Sequence, residues 1–140
     1  MDRNRAKELL LAEGFTCVLC RGDEVHTSTL RGVKPLVQWV ESTLDLHGFS
    51  AADKVVGKAT AYLYVLLGVR ALYAHVISVS ALAVLEEQGI GVAYGTLVEH
   101  IINRAGDGIC PFEAAVMGIR EPGAAYTAIR AKMQEMNITL

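Results

Sequence analysis

The chain has 140 residues, room for about one domain of ordinary size (~150 residues), and can bury a core without metal or disulfide staples. Hydrophobic residues make up 52% and charged residues 20%, with mean hydropathy +0.33, which excludes a disordered chain and points to elements buried on more than one face. Thirteen Lys and Arg against fifteen Asp and Glu leave a net charge of −2, so nothing favours a nucleic-acid partner.

Residues 2–13 alternate apolar and charged at helical spacing (Ala6, Leu9, Leu10) and stop at Gly14, a helix terminus. Residues 16–21 and 24–29 read as two strands, and Gly22-Asp23 between them is a two-residue hairpin signal. Pro35 opens a helix expected to run to about Leu46, with Leu36, Val37, Trp39, Val40 and Leu44 as its apolar stripe. Ser50-Ala-Ala-Asp53 matches a capping box and predicts a helix over residues 51–67, apolar nearly all round and ended by Gly68.

Residues 71–77 look like a core strand, Ser78 caps a helix over 79–88, and Gly89 stops it. A strand at 90–94 follows, and this strand, helix, strand order implies a parallel pair. Residues 96–102 are expected as a short helix, 103–108 as a polar loop, and Pro111 and Pro122 each open a helix. The order of elements gives one α/β domain over 1–140, a three-layer α/β/α sandwich with a mixed sheet.

The longest uncharged stretch, residues 71–85, is fifteen long and includes His75, too short and too polar for a membrane span. The N-terminus lacks the apolar segment of a signal peptide, so the expected location is the cytoplasm. Cys17, Cys20 and Cys110 are an odd count and read as free thiols. Cys17 and Cys20 form C-x-x-C, but in a strand residues three apart point to opposite faces, so the pair reads as packing. His26, His47, His75 and His100 show no metal-ligand spacing, no phosphate loop or nucleophile elbow is present, and no metal or cofactor is expected.

Two helix starts carry chemistry. On the first, Lys54 and Lys58 would share a helix face beside Gly57, to hold an anion, with Asp53 as general acid or base. The plain alternative is that both lysines reach solvent and Asp53 only caps. On the second, Pro111 at N1 puts Cys110 at the N-cap and Glu113 at N3. Free backbone N–H groups and the helix dipole there favour a reactive thiolate, and Arg104 in the preceding loop could hold an anion. The plain alternative makes Cys110 an inert cap answered by Glu113.

The runs Ala52-Asp-Lys-Val-Val-Gly-Lys-Ala59 and Ile102-Asn-Arg-Ala-Gly-Asp-Gly-Ile-Cys-Pro-Phe-Glu113, with Gly32-Val-Lys-Pro-Leu36 before them, resemble the prokaryotic family called domain of unknown function 1893. The resemblance covers nearly the whole chain and implies a cytidine-deaminase-like fold. Its signature residues would fall on Asp53, Lys54, Lys58, Asn103, Arg104, Cys110 and Glu113. Zinc deaminases need His or Cys two residues before a catalytic Glu, then P-C-x-x-C. This chain has Asp53-Lys54-Val55 at the first helix and Cys110-Pro111 at the second, which argues against deamination by a zinc-bound water.

Three readings follow. The first is a zinc-independent enzyme with Cys110 as nucleophile or redox thiol, Asp53 as acid or base, and Lys54, Lys58, Asn103, Arg104 and Glu113 around an anionic or nucleotide-like ligand. The second is a non-catalytic small-molecule binding or sensing module on the same fold. The third is a structural subunit with an apolar interface, and a homodimer fits the composition.

Overall fold

The computed structural model describes residues 2–103 and 105–140. Its elements in chain order are α1 (Asp2–Glu13), β1 (Cys17–Arg21), β2 (Glu24–Ser28), α2 (Lys34–Glu41), β3 (Ser50–Val56) and α3 (Lys58–Leu67). They continue with β4 (Ala71–Ser78), α4 (Val79–Glu87), β5 (Gly91–Val98), α5 (Pro111–Ala115) and α6 (Pro122–Glu135). The five strands form one mixed sheet in the order β2-β1-β3-β4-β5. β1 is antiparallel to both β2 and β3, and β3, β4 and β5 run parallel.

Helices cover both faces unequally. On one face α1 lies alone, burying Ala6 and Leu10 against Val18, Cys20, Ala52 and Tyr73. On the other, α3 packs against α2, α4 and α6 over the larger core, which includes Leu19, Phe49, Ala51, Leu63, Leu72, Ile77, Leu85 and Ile129. The burial of Cys17 and Cys20 in β1, with Cys20 in the α1-side core, agrees with their reading as packed thiols on opposite faces.

Three expectations are corrected. The segment after Ser50 is a strand, not the first turns of a helix, and the helix begins seven residues later at Lys58 with Gly57 as N-cap. Ala51 and Ala52 are both fully buried, one on each sheet face, because β3 sits between β1 and β4 with helices above and below. A central strand position outweighs the helical preference of alanine, which tertiary context readily overrides. Residues 96–98 extend β5 in register with Val76, Ile77 and Ser78 rather than starting a helix. The helix opened by Pro35 ends at Glu41, where the Ser42 hydroxyl donates to the Trp39 carbonyl and the backbone turns extended.

Gly68 closes α3 in the left-handed conformation, φ 77°, and a Cβ there would lie 2.6 Å from His47 Nδ1. Gly68→Ala should therefore cost at least the ~1–2 kcal/mol of a left-handed non-glycine residue. Urea unfolding of the variant beside the parent chain measures it, and an unchanged midpoint would contradict the crowding at His47.

Candidate functional site

The parallel strands β3, β4 and β5 run out toward the starts of α3 and α4, and the chain after β5 folds back over these ends. There a cleft of about 400 Å³ opens, lined on its floor and walls by Thr16, Cys17, Asp53, Thr60, Cys110 and Phe112. Asp53 and Cys110, read from sequence as residues of two helix starts, thus share one cleft, though Asp53 arrives on a strand.

Asp53 is a buried carboxyl on the cleft floor. It faces Cys17 directly across the β1–β3 ladder. Its carboxyl accepts the Tyr64 hydroxyl at 2.7 Å on Oδ2 and the Val55 N–H at 3.2 Å on Oδ1. Burial pushes it up from 3.8 to about 7, against the downward pull of Tyr64 and the Val55 and Lys54 backbone N–H groups. The same surroundings raise the Cys17 thiol, chiefly by burial and then by the Asp53 charge, and raise the Tyr64 hydroxyl. Tyr64 is invisible as a partner when Asp53 is read as a helix cap. Once β3 is a strand, its inward side chain meets α3 one turn and a half into that helix.

Lys54 follows Asp53 on the strand, so its side chain leaves on the other sheet face, exposed at the rim. Lys58 does not join it, since Lys54 and Lys58 no longer share a helix. The Lys58 ammonium donates to the Met117 carbonyl at 2.9 Å, and burial followed by the Arg120 charge lowers its pKa. The cation that sequence reading missed is Arg31, exposed on the cleft wall between β2 and α2. Arg104 lies outside the described residues.

Cys110 is the N-cap of α5, as its place before Pro111 implies, and is half-buried. Its thiol makes no capping bond, and its N–H donates to the Ile101 carbonyl at 2.8 Å. With five residues, α5 offers only a small dipole. Asn103 organises the preceding loop: its Oδ1 accepts the Gly106 and Asp107 N–H groups, and its Nδ2 donates to Asp107. Asn103 is therefore a turn residue rather than a wall of the cleft.

Glu113 does not answer the Cys110 cap. It reaches across to accept the Lys58 N–H at 3.2 Å, the Ser80 hydroxyl at 3.2 Å, and the Ser78 hydroxyl and Ile101 N–H at short range. It is 3% exposed. A Cβ on Gly57 would come within 3.5 Å of its Oε1 and 3.2 Å of Ile101 Cγ1, so glycine leaves room for this junction. Among the described residues no three His, Cys, Asp or Glu side chains cluster as a metal-binding group.

An α/β sandwich with a strand-end cleft holding a buried Asp and a half-buried Cys is the class of domain defined here. The chain belongs to the family described as a domain of unknown function, DUF1893 (TM1506), whose model matches residues 5–133. It is similar to the crystal structure of a DUF1893 family protein (TM1506) from Thermotoga maritima, with 26% identity and a TM-score of 0.82. That likeness covers 94% of this chain and 88% of the other. No curated protein matches the chain significantly.

Two outcomes are expected. Glu113→Ala strands two backbone N–H groups and two hydroxyls, and should cost more than about 3 kcal/mol in urea unfolding. For Asp53, a folded pKa near 7 above the ordinary 3.8 means that the folded protein holds the proton more tightly than the unfolded chain. Its contribution to stability is complete below about pH 4, is lost as pH rises toward 7, and changes no further above that. The difference in unfolding free energy between the parent and Asp53→Asn, followed from pH 4 to 8, should fall across that window; a flat difference would contradict the raised value.

Proposed function

We propose that this chain is a zinc-independent enzyme on a cytidine-deaminase-like fold, acting on a small anionic or nucleotide-like molecule bound in the strand-end cleft. The observation that carries the reading is Asp53: a buried carboxyl whose proton exchanges near neutral pH, in a cleft that also presents the Cys110 thiol. A group with that pKa suits general acid or base work at neutral pH. Cys110 would attack as the nucleophile, with Asp53 exchanging protons with the substrate. Val33, Pro35 and Phe112 give apolar walls suited to a planar ring, and Arg31 on the cleft wall suits an anionic substituent. The family resemblance and the helix-covered mixed sheet support the fold assignment.

One observation favours the second reading, a non-catalytic binding or sensing module. Among the described residues no side chain hydrogen-bonds the Cys110 thiol, so no base stands ready to activate it.

The two readings separate in one experiment. Nucleosides, nucleoside monophosphates and simple phosphates are screened for a rise in unfolding temperature, and hits are incubated with the protein and followed by chromatography. Catalysis predicts conversion that falls about 100-fold or more in Asp53→Asn and in Cys110→Ser. Binding alone predicts shifts that survive Cys110→Ser without conversion. No shift with any compound would set both aside.

Iodoacetamide labelling gives an independent check of the cleft. Cys110 should react first and Cys17 and Cys20, both buried, at least about tenfold slower. Any compound that raises the unfolding temperature should slow labelling of Cys110. If it does not, the ligand sits elsewhere.

A further inference from the structure

Helix α3 begins at the cleft without a side-chain cap. Its N-cap is Gly57, which has nothing to offer a backbone N–H, whereas Ser78 accepts the Ala81 N–H at the start of α4. The first N–H groups of a helix have no intrahelical partner and need one from outside. Glu113 takes that of Lys58, and the Ala61 N–H already reaches the Gly57 carbonyl. Between these two, the N–H groups of Ala59 and Thr60 have no acceptor among the described residues, and both residues line the cleft.

The Thr60 side chain is unpartnered as well. A helical threonine can donate to the carbonyl four residues back, as Thr127 does to Gly123 at 3.2 Å. Thr60 is 8% exposed, yet its hydroxyl makes no such bond and has no partner among the described residues. Every fully buried side-chain oxygen and nitrogen there does have one, so this hydroxyl keeps an opening, and the opening at Thr60 is the cleft. Thr60 and Tyr64 are four residues apart and share a face of α3, and Tyr64 holds the Asp53 carboxyl. Thr60 therefore stands one turn nearer the helix start than the group that fixes Asp53.

We infer that the start of α3 seats a neutral carbonyl oxygen of the ligand, held by the N–H groups of Ala59 and Thr60 and by the Thr60 hydroxyl. This rests on the cleft being the ligand site proposed above. Charge selects the kind of oxygen. Glu113 already brings a carboxyl to this helix start, and the Lys58 ammonium is engaged by the Met117 carbonyl. A phosphate or carboxylate seated here would face Glu113 at close quarters, while a carbonyl needs only donors. The anionic end of the ligand then belongs at Arg31, exposed on the cleft wall. A ring with a carbonyl at one end and an anionic substituent at the other fits both positions, with the carbonyl end innermost.

Titration calorimetry of the full chain tests this with uridine, uridine monophosphate and ribose phosphate, which carry the ring carbonyls, both groups, and the anion alone. Thr60→Val keeps the shape and loses the hydroxyl. It should weaken uridine and uridine monophosphate at least about fivefold and leave ribose phosphate unchanged. Thr60→Ser, which keeps the hydroxyl, should bind all three as the parent does, and Arg31→Ala should weaken only the two phosphates. Undiminished binding of uridine by Thr60→Val, an equal loss of ribose phosphate, or a Thr60→Ser variant as impaired as Thr60→Val would each overturn the inference. So would a parent chain that binds neither uridine nor its monophosphate, a result that leaves the enzyme reading to the wider screen. Conversion of a substrate unaffected by Thr60→Val would remove this seat and keep the enzyme; binding weakened by Thr60→Val with no conversion would do the reverse.

Discussion

The Glu113 carboxyl is the junction on which the cleft depends. Its partners come from three separate stretches: the first N–H of α3, two hydroxyls at the start of α4, and the N–H of Ile101 in the segment after β5. Helix starts leave N–H groups without intrahelical partners, and both α3 and α4 begin at the ends of parallel strands. One acceptor placed between them takes the first N–H of α3 and the serine hydroxyls of α4, whose Ser78 in turn caps the Ala81 N–H, and fixes the returning chain above the sheet. Cys110 is then positioned from two sides, by its own N–H on Ile101 and by Glu113 three residues later. Without that junction the wall carrying Cys110 and Phe112 would lose its ties to the Lys58 N–H and to the serines of α4.

The second constraint is the crowding of β3. It lies third in the sheet, with α1 on one face and α3 on the other, and it meets them with Ala51 and Ala52. Small side chains bring the helices close, and closeness puts Tyr64 within reach of Asp53. A carboxyl in such a place is costly to ionise, and the bonds from Tyr64 and the backbone only partly offset that cost. The raised pKa of Asp53 is thus a consequence of packing, and of the same packing that gives the sheet its two cores.

Much of the architecture was legible. Gly14, Gly68 and Gly89 marked helix ends, Gly22-Asp23 marked the hairpin, and Ser78, Pro111 and Pro122 marked helix starts, because each of these acts through backbone geometry that needs no tertiary partner. The misreadings fall where long-range packing decides. Ser50-Ala-Ala-Asp53 has the pattern of a capping box, and its alanines are good helix formers, but the β1 and β4 ladders on either side hold it extended. Val55-Val56 just before Gly57 was the available sign of a strand. That one error moved Lys58 into the wrong neighbourhood and hid Tyr64. Arg31 was overlooked for another reason, since its cleft forms only when the β2–α2 connection, β1 and the segment after β5 come together.

The two carboxyls of the cleft illustrate how geometry divides residues that a motif joins. Asp53 and Glu113 both sit in runs that resemble the family signature, both are buried, and both line the same opening. Glu113 has donors from four different residues on its two oxygens, an arrangement with little acceptor capacity left for a ligand. Asp53 accepts one hydroxyl and near backbone N–H groups, and its oxygens have two lone pairs each, so it retains the capacity to exchange a proton with a molecule in the cleft. Saturation makes one carboxyl a structural knot, and incomplete compensation in a buried place makes the other a chemical group. Asp53 thus keeps acceptor capacity toward the cleft, while Glu113 sets where the opposing wall stands.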